Sequence, residues 1–359
     1  MDTIIKPMSL EDAFELKPVN KNSVIDLKDL DTNILSNSGE LKIPNSPEIQ
    51  SQNYIHKPFI EANTLEVNLQ NLKNDCIIPV FSKDNEKTIA HQEFIEIAQN
   101  SISKLFPNQS FNYPEIRVSH QIKGRTPEAI HKDVKDLLDN EKTTYYERMA
   151  FIISIPCIRE TINENELSLT IGGVRSYNQE NLYSKKTFEK FKFFVGFQNK
   201  VCCNLCVSTD GFVEEMRVSS YQELQKRIDM ILTQYNAEKH LLEMKEFADY
   251  SLSEHQFAQL LGRTRLYQHL PKKEKTQIPS LQFNDGHINT ITKDYYDDSS
   301  FCRDSGGDIN LWKLYNLFTQ ANKSSYIDTF LDRNLNAFNF TKGIQKTLNG
   351  DSNYHWFLS

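Results

Sequence analysis

The sequence predicts an α+β protein, with an antiparallel β-sheet or meander in the N-terminal half packed with helices, and a mostly helical C-terminal half. Three observations predict it. Short runs with alternating or continuous apolar residues crowd residues 115–218. From about residue 220 onward the apolar residues recur at three-and-four spacing. The length of 359 residues is long for one core and comfortable for two. The division is expected near residue 219, into a sheet region over 57–219 and a helical region over 220–359 that can share its core.

Taken in order, residues 1–56 carry Asn, Ser, Asp, Glu and Lys, with Phe14 and Tyr54 as their aromatics. So little apolar surface cannot offset the entropy of ordering, so a disordered tail is expected. Inside it, "SLEDAFEL" (9–16) is read as a transient helix or a docking motif. The tail has no apolar h-region and no basic start, so it is not read as a signal peptide. No stretch approaches the ~20 apolar residues of a membrane helix. A cytoplasmic location with reduced thiols is expected.

"CIIPVF" (76–81) reads as a buried strand and "TIAHQEFIEIAQNSISKLF" (88–106) as a helix stopped by Pro107. "EIRVSHQI" (115–122) alternates like a half-exposed strand, and "TPEAIHKDVKDLL" (126–138) has the threonine–proline–glutamate start of a helix. "YYERMAFIISIP" (145–156) and "ELSLTIGGVRSY" (166–177) read as strands joined by a polar turn. Gly172-Gly173 inside the second predicts a bulge or a close backbone approach. Runs 190–198, 201–208 and 212–218 read as three strands, the last two joined by a hairpin at Asp210-Gly211. Ser220 and Glu223 form a capping box opening one long helix with Leu224, Ile228, Ile231, Leu232, Tyr235 and Leu242 buried. Further helices are expected over 253–270, 285–296, 309–321 and 324–348, with Gly350 closing the last. The apolar end "NYHWFLS" (353–359) is expected to dock on the body, or to bind a partner.

Three of the six cysteines lie within five positions, Cys202, Cys203 and Cys206. On a strand, Cys203 faces away from Cys202 and Cys206, and that second pair is ~13 Å apart at ~3.3 Å per residue. Such spacing cannot hold one zinc ion, so structural thiols are expected and no metal or cofactor is assigned. The acidic stretch 293–310 holds Asp294, Asp297, Asp298, Asp304 and Asp308 without calcium-loop spacing and reads as a solvated loop. His120, His131, His255 and His287 have no telling acid partner, and no catalytic residue can be named.

Cations carry the sharpest functional signal. Arg117, Lys123 and Arg125 come from "RVSHQIKGR" (117–125), and Lys185, Lys186, Lys190 and Lys192 interleave with aromatics in "YSKKTFEKFKFF" (183–194). Arg217 follows on the next strands, and "GRTRLYQHLPKKEK" (262–275) adds Arg263, Arg265, Lys272, Lys273 and Lys275. Phosphate backbones need such a cationic track, and solubilising surface charge is the competing reading. A net charge of -7 excludes a uniformly basic coat but not a local groove.

The stretches "NDCIIPVFSKDNE", "IRVSHQIKGRTPEAIHK", "LTIGGVRSYNQENLYSKK", "GFQNKVCCNLCVSTDG" and "LSEHQFAQLLGRTRLYQHLP" together resemble the bacterial domain of unknown function family 3871, over about residues 60–359. That resemblance implies no activity. More remotely, "INLWKLYN" before a long helix is similar to the phage/plasmid-like protein family, which implies residence on a mobile element. A meander followed at once by a helix is similar to the core of single-strand annealing proteins. The expected function is binding of single- or double-stranded nucleic acid through a basic face of the sheet. The alternatives are a protein-interaction scaffold and a metal-dependent enzyme using the 294–308 aspartates.

Overall fold

The computed structural model describes residues 57–76, 88–129, 131–177 and 188–359. The expected tail, its 9–16 motif and most of the 76–81 strand lie outside them. The chain runs β1 (Leu65–Val67), α1 (Leu69–Asp75), α2 (His91–Leu105), β2 (Glu115–Arg125), β3 (Lys142–Ile162), β4 (Asn165–Ser176), β5 (Glu189–Asn199) and β6 (Leu205–Val218). It continues through α3 (Tyr221–Gln234), α4 (Ala237–Glu246), β7 (Ser251–Leu252), α5 (Glu254–His269), α6 (Lys272–Lys275), α7 (Asp285–Asp297), β8 (Ile309–Asn310), α8 (Leu311–Asn322) and α9 (Ile327–Leu348). Strands 1 to 6 form one antiparallel sheet in chain order, so the α+β class with its N-terminal meander holds.

Local chemistry explains the junctions. Asn163 and Glu164 sit at φ 45 and 66, the positive values that a two-residue hairpin between β3 and β4 requires. Gly172 and Gly173 stay in register with Ile152 and Phe151, so they make no bulge there. They mark a close approach instead, because a Cβ on Gly172 would stand 2.2 Å from the Phe151 carbonyl oxygen. Ser220 caps α3, accepting from the Glu223 amide at 3.3 Å.

Three expected elements differ. The hairpin is not at Asp210-Gly211: β6 is one strand over 205–218, and the turn back from β5 lies at 199–204. Phe194 pairs with Phe212 and Gly196 with Val207, so residues 208–211 bulge opposite Val195. Gly211 allows this because its missing Cβ would lie 2.1 Å from the Val195 carbonyl oxygen, and Asp210 is held outside by Lys239 at 2.6 Å. In place of the helix expected over 126–138 stand two short 3₁₀ turns, Pro127–Ala129 and Val134–Asp136, with a third following at Asp139–Glu141. Val134 and Leu138 remain 71% and 59% exposed, so no surface buries the apolar stripe that a helix this short needs for stability. The long helix after Ser220 breaks at Tyr235, because Asn236 caps a new helix by accepting from the Lys239 amide at 2.9 Å, which leaves Leu242 exposed.

Both faces of the sheet carry packed elements, one of them over part of its extent only. On one, Ile116, Phe151, Ile171, Phe193 and Val195 pack with Phe94, Ile97 and Ile102 of α2. That cluster continues through Leu224 and Ile228 of α3 to Trp312, Phe318 and Phe340 of α8 and α9. On the other face, Ala150, Ile152, Val174 and Phe194 meet Phe59, Ile60, Ile327, Phe330 and Leu331. The C-terminal aromatics are spent on the body: Phe357 is buried, 4.9 Å from Phe340 and 5.9 Å from Tyr267 between ring centroids. No helix of the described residues is long and apolar enough to cross a membrane.

Three histidines are sealed in these cores. His91 bonds the Tyr146 carbonyl at 2.8 Å, His240 the Tyr235 hydroxyl at 2.7 Å, and His287 the Ser325 hydroxyl at 3.1 Å. Burial lowers their pKa values from 6.5 to about 3, about 3 and about 4, with Arg175 adding to the effect at His91 and Arg333 at His287.

Each histidine is neutral when folded and takes up a proton when unfolded below about pH 6.5. The stability they supply is therefore complete above that pH and is lost as pH falls towards about 4 for His287 and about 3 for His91 and His240. Urea unfolding at pH 6 and pH 5 is expected to show a loss of up to about 1.4 kcal/mol per pH unit for each histidine. His240→Gln should remove one such increment from the slope. Gly172→Ala is expected to cost about 1–3 kcal/mol by overpacking the β3–β4–β5 junction, read from the same urea midpoint.

Candidate nucleic-acid interface

The register decides which cations share a face. Arg117 lies opposite Ala150, Ala150 opposite Val174, and Val174 opposite Lys192. Two residues along, Arg148 stands opposite Ser119 and Ser176, and Lys190 opposite Arg217. Residues paired across a sheet point to the same side. The sheet thus gathers Arg117, Arg148, Lys190, Lys192 and Arg217 on the face that carries Ala150 and Val174, the face that residues 59–60 and the start of α9 cover.

Each of these cations has a carboxylate partner. Arg117 meets Glu66 at 3.3 Å and the Thr64 hydroxyl at 3.1 Å. Arg148 stands 3.7 Å from Asp328. Lys192 pairs with Asp332 and donates to the Asp328 carbonyl at 2.8 Å, its side chain only 15% exposed. Lys190 at 2.9 Å and Arg217 share Glu215, whose carboxyl they hold below its usual range. Asp328 and Asp332 lie one turn apart on α9, so that helix sets two carboxylates over the basic row. The expected trough of unpaired cations is a lattice of ion pairs. Phosphates would have to displace carboxylates already in place, and at Lys192 a helix as well.

The remaining expected residues fall elsewhere. Lys123 is exposed on β2, and Arg125 at its end donates to the Lys132 carbonyl. Lys185 and Lys186 lie outside the described residues. Arg263 and Arg265 belong to α5, which Ser253 opens by accepting from the Gln256 amide at 3.3 Å. Pro271 separates α5 from the single turn α6, which adds Lys272, Lys273 and Lys275.

This α5–α6 ridge keeps its charge. Residues 254–285 hold five cations against the carboxylates of Glu254, Glu274 and Asp285, inside a chain of net charge -7. Arg263 lies over the Trp356 ring at 5.0 Å and donates to the Ser359 backbone oxygen at 2.8 Å. Arg265 donates to Asn289, and Lys275 lies over Tyr267 at 4.5 Å. Lys272 and Lys273 are exposed. Among the described residues, none of the five pairs with a side-chain carboxylate.

The cysteines are not on one strand. Cys202 and Cys203 form the β5–β6 turn, with Cys203 at φ 57, and Cys206 alone is in β6. Burial raises the Cys202 thiol to about 12 and pushes Cys206 higher still, so both are neutral and apolar in character. In the acidic stretch, Asp304 pairs with Lys313, and Asp298 accepts from the Ser300 and Phe301 amides at 2.8 and 2.7 Å. Among the described residues no three His, Cys, Asp or Glu side chains stand together as a metal site.

Sequence reasoning passed over Arg148 and Arg175. Arg148 interrupts "YYERMAF" on the alternation that places it with Ala150, a legible signal. Arg175 is fully buried between Tyr177 and Phe191 and pairs with Glu189, whose carboxylate also accepts from the Ile89 amide at 3.1 Å. Its role is to tie the start of α2 to the sheet, and nothing local in the sequence marks it.

A structural role for Lys192 has a measurable consequence. Lys192→Met strands Asp332 under α9 and is expected to cost about 3 kcal/mol. Lys192→Met combined with Asp332→Leu should recover most of that loss in a double-mutant cycle of urea midpoints.

Residues 47–358 match the family model described as "Domain of unknown function, B. Theta Gene description (DUF3871)". No curated protein and no solved structure matches the chain.

Proposed function

We propose that this chain, which belongs to the DUF3871 domain-of-unknown-function family, binds nucleic acid through the α5–α6 ridge, with the sheet face serving as its internal ionic support. One observation carries the reading: among the described residues, none of the ridge's five cations forms an ion pair with a side-chain carboxylate, in an otherwise acidic molecule. Unpaired surface cations are what phosphates displace counterions to reach, whereas cations already paired gain little. Arg265, Lys272 and Lys273 would contact phosphates directly. Arg263 and Lys275, each set over an aromatic ring, would hold fixed positions along the track. Such contacts read backbone charge and carry no base sequence. Residence on a phage- or plasmid-like element is a compatible setting for a binder of this kind.

Fluorescence anisotropy with a labelled oligothymidylate and a labelled mixed-sequence duplex at low salt tests the reading. Binding to at least one is expected, with log K falling linearly in log salt. Arg265→Ala, Lys272→Ala and Lys273→Ala should each reduce the magnitude of that slope by about 0.7–0.9. Lys190→Ala and Arg217→Ala should leave it nearly unchanged. Absence of binding to both probes, or a slope indifferent to the ridge substitutions, would overturn the proposal.

A further inference from the structure

Neither the fold nor the ridge accounts for the motif "SLEDAFEL" (9–16). It carries Glu11, Asp12 and Glu15, and residues 7–16 contain no Lys or Arg. Leu10, Ala13 and Phe14 recur at three-and-four spacing, and Glu11 and Glu15 fall on the neighbouring row of a helix. A helix of eight residues is stable only against a surface that buries its apolar row.

A surface of the matching kind lies on α5. Its solvent side carries Ala258, Gly262 and Leu266 at steps of four residues, and Leu266 is 57% exposed. A Cβ on Gly262 would meet nothing within 4 Å, so this position is open. Two small residues before the leucine leave a shallow groove into which the side chains of a second helix can pack. The next row of α5 holds exposed Arg265, and the α6 turn beyond it adds exposed Lys272 and Lys273. An apolar row beside a cationic one is thus the counterpart of an apolar row beside an acidic one.

Forty residues, 17–56, join the motif to the body. At ~3.3 Å per residue they reach ~130 Å, more than the ~80 Å halfway around a compact body of about 300 residues. The tether makes the encounter intramolecular, which favours it over the same motif on a second copy. We propose that segment 9–16 of this chain docks on the exposed side of α5, with Leu10 and Phe14 against Gly262 and Leu266 and its carboxylates toward Arg265, Lys272 and Lys273. An outside phosphate chain must displace the segment to reach those cations. Docking stands without the nucleic-acid reading, and the displacement rests on that reading.

Carbodiimide cross-linking of the full chain joins a carboxylate to an amine in contact with it, and mass spectrometry of the tryptic peptides reads the pair. An amide between Glu11, Asp12 or Glu15 and Lys272 or Lys273 is expected. In an equal mixture of unlabelled and nitrogen-15-labelled protein, it should join peptides of like isotope. Leu266→Asp and Phe14→Ser should each lower the yield roughly tenfold. Leu242→Asp, at a similarly exposed leucine of α4, should leave it unchanged. Anisotropy with oligothymidylate reads the displacement: the chain carrying Glu11→Gln, Asp12→Asn and Glu15→Gln should bind roughly tenfold more tightly than the unaltered chain. No such amide, an amide of mixed isotope, or an undiminished yield in Leu266→Asp and Phe14→Ser would overturn the docking. Equal affinity of the two chains for the oligonucleotide would overturn the displacement. Absence of binding by both would overturn the nucleic-acid reading and the displacement with it, while the cross-link still decides the docking.

Discussion

Lys192 lies beneath the first turns of α9, with Asp332 on its ammonium and the Asp328 carbonyl 2.8 Å away. Arg148, two residues from the Ala150 position that neighbours Lys192's row, meets the same helix through Asp328. A charge under a packed helix is tolerated only with a partner, so the basic row of the sheet and the acidic turn of α9 depend on one another. Around that contact Phe330 and Leu331 pack on Ala150, Val174 and Phe194, and the chain entering at Phe59 and Ile60 completes the layer. The seat of α9 in turn brings Phe338 and Phe340 into the larger core, 6.0 Å from Tyr315 and 5.4 Å from Phe318. The ion pairs therefore orient the helix that joins the sheet to the helical half.

The same arrangement divides the molecule's charge by role. Cations on the sheet balance carboxylates and hold elements together. On α5 and α6, Arg263 and Lys275 lie over rings, Arg263 also meets a backbone oxygen, Arg265 meets an amide, and Lys272 and Lys273 are exposed. The acidic total of the chain says nothing about that division, because attraction of a phosphate depends on local, unpaired charge.

Because α9 covers only part of its sheet face, the strip holding Ser154, Thr170 and Gln198 needs another way to satisfy its polar atoms. Hydroxyls and the glutamine oxygen do so among themselves. His91, His240 and His287 are each bonded within the core, and the thiols of Cys202 and Cys206 sit among apolar neighbours. None of them has both the exposure and the ionisable state that acid–base or nucleophilic chemistry near neutral pH requires.

The sequence by itself determined what depends on neighbours along the chain. Alternation marked β2 through β5, three-and-four spacing marked α2, α5, α7, α8 and α9, and Ser220 and Ser253 marked two helix starts. Alternation also put Lys190 and Lys192 on a common side of β5, since it fixes faces within a strand, but that side carries Ala150, Val174 and Phe194 and lies partly under α9. Tertiary structure decided the rest. Whether Asp210-Gly211 turns or bulges rests on Gly211 meeting the Val195 carbonyl, and whether residues 126–138 coil into a helix rests on a surface that is not there. The partners of Lys192, Arg148 and Lys190 also came only from the fold, Asp332 and Asp328 arriving from more than a hundred residues away. A cation's reach for phosphate is set by the carboxylate beside it in space, and spacing along a strand carries no record of that neighbour.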